Sequence, residues 1–147
     1  LGVAVLDMET AYTDAAGRAV DASRITILTG GIDGYTLKPG VCQWDGDVTF
    51  STKLTFEGSA TDVFILQMAG KLLVGAGAKV ILNGGVKAEN IFWQIAGSAT
   101  IGAAAHVEGI ILVKTAITFI TGSSLHGRVL TQTAATLQVA TIVEPVA

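Results

Sequence analysis

The chain carries one cysteine, Cys42, so no disulfide can form within it and the redox compartment stays open. Of its 147 residues only 2 are proline, and 14% are charged. With half the residues hydrophobic, that composition excludes disorder. No apolar run approaches the ~20 residues that cross a bilayer. A formal net charge of −3 leaves no basic footprint for nucleic acid or anionic membrane. The chain starts at Leu1 rather than Met and shows no signal peptide, as expected of a processed or N-terminally truncated product. What is abundant is glycine, 18 residues, set among small and β-branched side chains. This favours strands joined by tight turns, in a single domain over 1–147 that is long enough to bury a core.

The first segment reads differently from the rest. Leu1, Val5, Met8, Tyr12 and Ala15 form one helical stripe, with Asp7, Glu9, Thr13 and Asp14 on other faces. Gly17 is placed as a C-terminal stop. The expectation is a helix over 1–17, a connector over 18–34 turning at Gly30-Gly31, and β-coils over 35–147.

From Tyr35 onward the period is two, with a longer repeat above it. The segments TKLTF, GKLLV, GSATI, TAITF and TAATL place Thr55, Leu73, Thr100, Thr118 and Thr136 at their fourth positions. Successive steps are 18, 27, 18 and 18 residues. The long step is read as one coil plus a loop at Asn83-Gly84-Gly85. Alternation turns Leu54/Phe56, Leu72/Val74, Ala99/Ile101, Ile117/Phe119 and Ala135/Leu137 inward. The outward pairs are then Lys53/Thr55, Lys71/Leu73, Ser98/Thr100, Ala116/Thr118 and Ala134/Thr136.

A second side, VFILQM, NIFWQI, GIILVK and GRVLTQ, is apolar in both alternating sets and requires a cover. The predicted helix, roughly 25 Å long, matches five coils at ~4.8 Å. A third side is short and polar: Lys79 to Ile81, His106 to Glu108, Ser124 to His126. The predicted fold is mainly β: a three-sided right-handed β-helix, a solenoid of about 18 residues per coil, with one long α-helix packed along one face.

Several spaced motifs then point to a family. Asn90 to Gly97, Glu108 to Leu112, Lys114 to Thr118 and Gly122 to Leu130 resemble, in order, the microbial β-solenoid ice-binding (antifreeze) proteins. Ala11-Tyr12 with Asp14 to Arg18 resembles that family's flanking helix, and Leu37 to Val41 the start of its second half. The resemblance implies a secreted, cold-adapted protein that adsorbs to ice and inhibits its growth and recrystallisation through one flat face. It implies T-A-x-T-like motifs on that face, matched by Thr115 to Thr118 and Thr133 to Thr136. The resemblance also implies further N-terminal coils, so the chain is expected to be an N-terminally truncated member.

The physical reason is geometric. Ice has no pocket or charge, so a surface that binds it must be flat, rigid and repetitive. Parallel coils repeat every ~4.7–4.9 Å, close to a spacing in the ice lattice, and β-branching restricts Thr χ1. The predicted ice-binding residues are Thr55, Ser98, Thr100, Ala116, Thr118, Ala134 and Thr136; Leu73, Lys53 and Lys71 interrupt the pattern. A carbohydrate-binding or adhesive extracellular solenoid is the alternative, and it would show exposed aromatics. A polysaccharide-active enzyme would need clustered carboxylates, and those here are scattered. His106, Glu108 and His126 share one side but form an open polar edge rather than a metal site. Neither cofactor, catalytic residue nor small-molecule substrate is expected.

Overall fold

The computed structural model describes residues 31–138 and 140–143. The first turn of chain contains β1 (Thr36–Leu37), β2 (Gly40–Trp44) and β3 (Val48–Phe50), and the second β4 (Lys53–Glu57), β5 (Phe64–Met68) and β6 (Leu72–Val74). The third contains β7 (Lys79–Asn83), β8 (Ile91–Ile95) and β9 (Ala99–Ile101). Then come β10 (His106–Val113) with β11 (Ala116–Phe119), β12 (Ser124–Thr131) with β13 (Ala134–Leu137), and β14 (Thr141–Val143). Each strand pairs in parallel with its counterpart one turn away, so the chain climbs as a coil.

The expected fold class needs correction. The strands close into two parallel sheets rather than three separate sides: a five-stranded sheet in the order β13-β11-β9-β6-β3, and a nine-stranded sheet holding the rest. The larger sheet curls as a half-barrel because β10 and β12 run unbroken from the expected third side into the second. The N-terminal end of β10 pairs with β7 and its C-terminal end with β8. Glycine makes this passage possible. Gly109 sits at φ 128°, and a Cβ there would lie 2.7 Å from the Trp93 indole nitrogen. The described residues contain no α-helix, only a 3-10 turn at Ala88–Asn90. The helix expected over Leu1 to Gly17 lies outside the described residues.

Alternation builds the core. Leu54, Phe56, Leu72, Val74, Ile101, Ile117 and Phe119 are all buried, and they pack with Trp44, Phe50, Phe64 and Trp93. Phe50 stacks on Trp93 at 6.3 Å between ring centroids, while Phe56 meets Trp93 edge-on at 5.7 Å. The Trp93 indole N–H donates to the Glu108 carbonyl at 3.0 Å, so this large ring is buried without an orphaned donor. β5 is buried at all five positions, as a strand covered on both faces must be.

One corner repeats with a single discord. Ala78, Ala105 and Ser123 each donate their backbone N–H to the residue three positions earlier, at 3.2, 3.1 and 3.0 Å, and all three are buried. Among the described residues, the Ser123 hydroxyl is the buried side-chain polar atom with no hydrogen-bond partner. An unsatisfied hydroxyl costs about 1–3 kcal/mol, and alanine already fills the equivalent site twice. Ser123→Ala should therefore raise stability by about 1 kcal/mol, a gain of roughly 2–4 °C in Tm for a domain of this size. A lower melting temperature in a thermal scan would show that the hydroxyl is satisfied in solution.

Candidate functional site

The five-stranded sheet turns one residue in two outward. Its central outward column runs Thr49, Leu73, Thr100, Thr118, Thr136, each directly paired to the next across parallel strands. Beside it Ala116 pairs with Ala134, and Ser98 stands two residues before Thr100. Thr49, Thr100 and Thr118 are half-buried, as expected of side chains held between neighbouring coils, and Thr136 is exposed. With coils ~4.8 Å apart and i, i+2 residues ~6.6 Å apart, these side chains form a small two-dimensional lattice.

The register separates the predicted residues. Thr100, Ala116, Thr118, Ala134 and Thr136 share this sheet, with Ser98 one residue before β9. Thr55 does not: it lies on β4 in the nine-stranded sheet, paired with Thr36 and Ile81. Lys53 likewise pairs with Lys79 on that sheet, not with Lys71. The physical reason is a second insertion. Residues 58–63 lengthen the second turn, so the residue opposite Leu73 is 24 positions earlier, at Thr49, rather than 18 earlier at Thr55. Thr49 is thus the residue that counting in eighteens misses. Its signal was present: Val48-Thr49-Phe50 alternates in, out, in after the Asp45-Gly46-Asp47 turn.

The upper end of the lattice has a different chemistry. Asp47 stands two residues before Thr49, and its Oδ1 accepts the Lys71 backbone N–H at 2.8 Å. Leu73 remains 41% exposed between Thr49 and Thr100. Beyond β3, Asp33 pins the corner. One of its carboxylate oxygens accepts the backbone N–H groups of Ser51 and Thr52, at 2.5 and 3.0 Å, and both hydroxyls at 3.3 Å. Chiefly through the Ser51 backbone hydrogen bond, the Asp33 carboxyl is held below its ordinary value of 3.8.

Several other ionisable groups are committed locally. Each Glu108 carboxylate oxygen meets a different imidazole, His106 Nε2 at 2.8 Å and His126 Nδ1 at 3.0 Å, while His106 Nδ1 bonds Ser124 Oγ at 2.7 Å. These contacts clip β10 to β12 on the nine-stranded sheet. Among the described residues, no three His, Cys, Asp or Glu side chains are arranged to hold a metal ion. Glu57 pairs with Lys38, and Glu89 with Lys87 at 3.8 Å. Cys42 is buried in the core on β2, while both histidines lie on the outer side of β10 and β12. Among the described residues, no aromatic side chain is among the large exposed hydrophobic residues.

The depressed Asp33 value has a pH consequence. A carboxyl with a lowered folded-state pKa adds stability above its unfolded value, and that stability is lost as pH falls through the folded value. Melting temperature should therefore drop as pH falls from about 5 to about 2, by less in Asp33→Asn than in the wild type. The difference should be small because the site is exposed. Equal acid sensitivity in both proteins would remove Asp33 as a contributor.

The chain is similar to known proteins over nearly its full length. The family model described as ice-binding-like matches residues 1–143. An ice-binding protein from Colwellia sp is 50% identical over 145 residues, 99% of this chain and 57% of that protein. One from Flavobacterium frigoris (strain PS1) is 43% identical over 145 residues, 99% of this chain and 52% of that protein. The crystal structure of a glycosylated ice-binding protein from an Arctic yeast superposes with a TM-score of 0.96 at 41% identity, covering 100% of this chain and 63% of that one. That of an ice-binding protein from the Antarctic ascomycete Antarctomyces psychrotrophicus gives 0.87 at 31% identity, covering 95% and 68%. The chain thus spans a little over half the length of these curated relatives.

Proposed function

Since the chain belongs to the ice-binding-like family, we propose that it adsorbs to ice through the outward lattice of its five-stranded sheet and thereby inhibits ice growth and recrystallisation. The observation that carries this reading is the aligned column Thr100, Thr118, Thr136, with Ser98, Ala116 and Ala134 beside it. Thr49 extends the column, and Thr55 is excluded from it. The weak region is Asp47, Lys71 and Leu73, where charge and bulk break the run of small residues.

The chemistry follows from what the side chains can hold. A β-branched Thr fixed between coils has one favoured χ1, so its hydroxyl and methyl are presented in repeating positions. Waters ordered on such a lattice merge with the ice front. Growth then bulges between adsorbed molecules, and the added curvature lowers the local freezing point. The process has no catalytic step and takes no cofactor, small-molecule substrate, nucleic acid or membrane. It places the protein outside the cell, where ice advances.

Thr118→Tyr should abolish most of the thermal hysteresis while moving Tm by no more than about 2 °C, because the change lies on the surface. Unchanged hysteresis would rule out this face. Thr49→Tyr and Thr55→Tyr form a sharper pair, since they separate the structural register from simple counting. The first should lower hysteresis, by less than Thr118→Tyr, and the second should leave it at the wild-type level. A loss in Thr55→Tyr equal to that in Thr118→Tyr would move the ice contact to the larger sheet.

A further inference from the structure

We propose that Thr115 is a positioning residue for the ice-facing lattice, its hydroxyl serving as one rung of the hydrogen-bond ladder along the edge of the five-stranded sheet. The inference rests on ice adsorption by that sheet and assigns different tasks to the two threonines of Thr115 to Thr118.

The edge ladder begins as backbone. Gly70 N–H donates to the Gly46 carbonyl at 3.2 Å, and Gly97 N–H donates to the Gly70 carbonyl at 2.9 Å. A Cβ at Gly70 would lie 2.7 Å from the Gly46 oxygen, and one at Gly97 would lie 2.6 Å from the Gly70 oxygen. The edge must stay bare at these two glycines. The next turn puts Thr115 there, and the rung changes type: the Thr115 hydroxyl donates to the Gly97 carbonyl at 2.8 Å. On its other side the Thr115 carbonyl accepts the Thr133 N–H at 3.1 Å and the Thr131 hydroxyl at 2.5 Å. Thr115 therefore joins the glycine edge above to the threonine edge below, and its side chain is the connection.

Its hydroxyl proton is committed to Gly97. By contrast, no protein hydrogen bond to the Thr100, Thr118 or Thr136 side chain occurs among the described residues, which leaves those hydroxyls to water. The first threonine of the motif sets the start of β11, and the last presents itself outward three residues later. Because χ1 of Thr is restricted, the Thr115 rung constrains the backbone that places Ala116 and Thr118 opposite Ala134 and Thr136.

The test compares Thr115→Val, which keeps the shape and loses the hydroxyl, with Thr115→Ser, which keeps the hydroxyl and loses the methyl. Thermal hysteresis is read near 0 °C, where a folded protein is far from its melting transition, together with amide hydrogen exchange at Ile117 and Phe119. Thr115→Val should lose hysteresis severalfold and exchange about tenfold faster at those amides. Thr115→Ser should match the wild type in both. Thr118→Val serves as the contrast: it should lose hysteresis with exchange unchanged. Wild-type behaviour of Thr115→Val, or a Thr115→Ser that falls as far as the valine variant, overturns the assignment. Should Thr115→Val not fold, wild-type hysteresis and exchange in Thr115→Ser support it, and their loss overturns it. If the wild type itself shows no hysteresis, ice adsorption fails as a reading. The exchange contrast then decides the rung: faster exchange in Thr115→Val than in Thr115→Ser supports it, and equal exchange overturns it.

Discussion

Parallel backbone pairing between successive turns of chain is the constraint on which everything else depends. It sets a rise of ~4.8 Å per coil, and every outward side chain inherits its position from that rise. Thr100, Thr118 and Thr136 are collinear because their strands are in register, not because the three side chains touch. The inward residues supply the stabilisation and the outward ones are carried along. A surface made this way can be regular and weakly polar at once, since its order comes from the backbone beneath it.

The sequence disclosed the local pattern and lost the global phase. Period-two alternation is a property of neighbouring residues: it turns Leu54, Phe56, Leu72, Ile117 and Phe119 inward, where they are buried, whereas Ala135 and Leu137, expected inward on β13, are exposed. Assigning a strand to a sheet requires counting across loops, and an insertion of six to nine residues is a third to a half of a coil. Counting in eighteens from Leu73 therefore steps over residues 58–63 and lands on Thr55, on the other sheet, passing by Thr49. The expected corner between the second and third sides was lost for a related reason. Whether a glycine turns the chain or lets a strand run through depends on what lies beside it, and for Gly109 that neighbour is Trp93, sixteen residues earlier. The helix expected over Leu1 to Gly17 lies outside the described residues.

Polar groups away from the lattice are used to hold coils together. Glu108 joins two histidines across β10 and β12, and Asp33 gathers four donors at the corner beyond β3. Asp33 takes up backbone N–H groups at a corner, whereas the Glu108 cluster links side chains across two strands that are already paired. These charged groups are thus spent on the scaffold, and the five-stranded sheet is left with hydroxyls, methyls and little charge.

The two insertions share one corner. Residues 58–63 connect β4 to β5, and residues 84–90 connect β7 to β8, with the Asn90 side chain reaching the Ala60 carbonyl at 3.1 Å. The first turn crosses the same corner with Lys38-Pro39 alone, and the fourth and fifth cross it through Gly109 and Gly127 with no loop at all. Chain length can therefore vary at this corner while the opposite sheet keeps its spacing. For a surface proposed to match a crystal, this separates what can vary from what must be held. Insertions and deletions can accumulate on one flank of the molecule while its other flank keeps the same ruler.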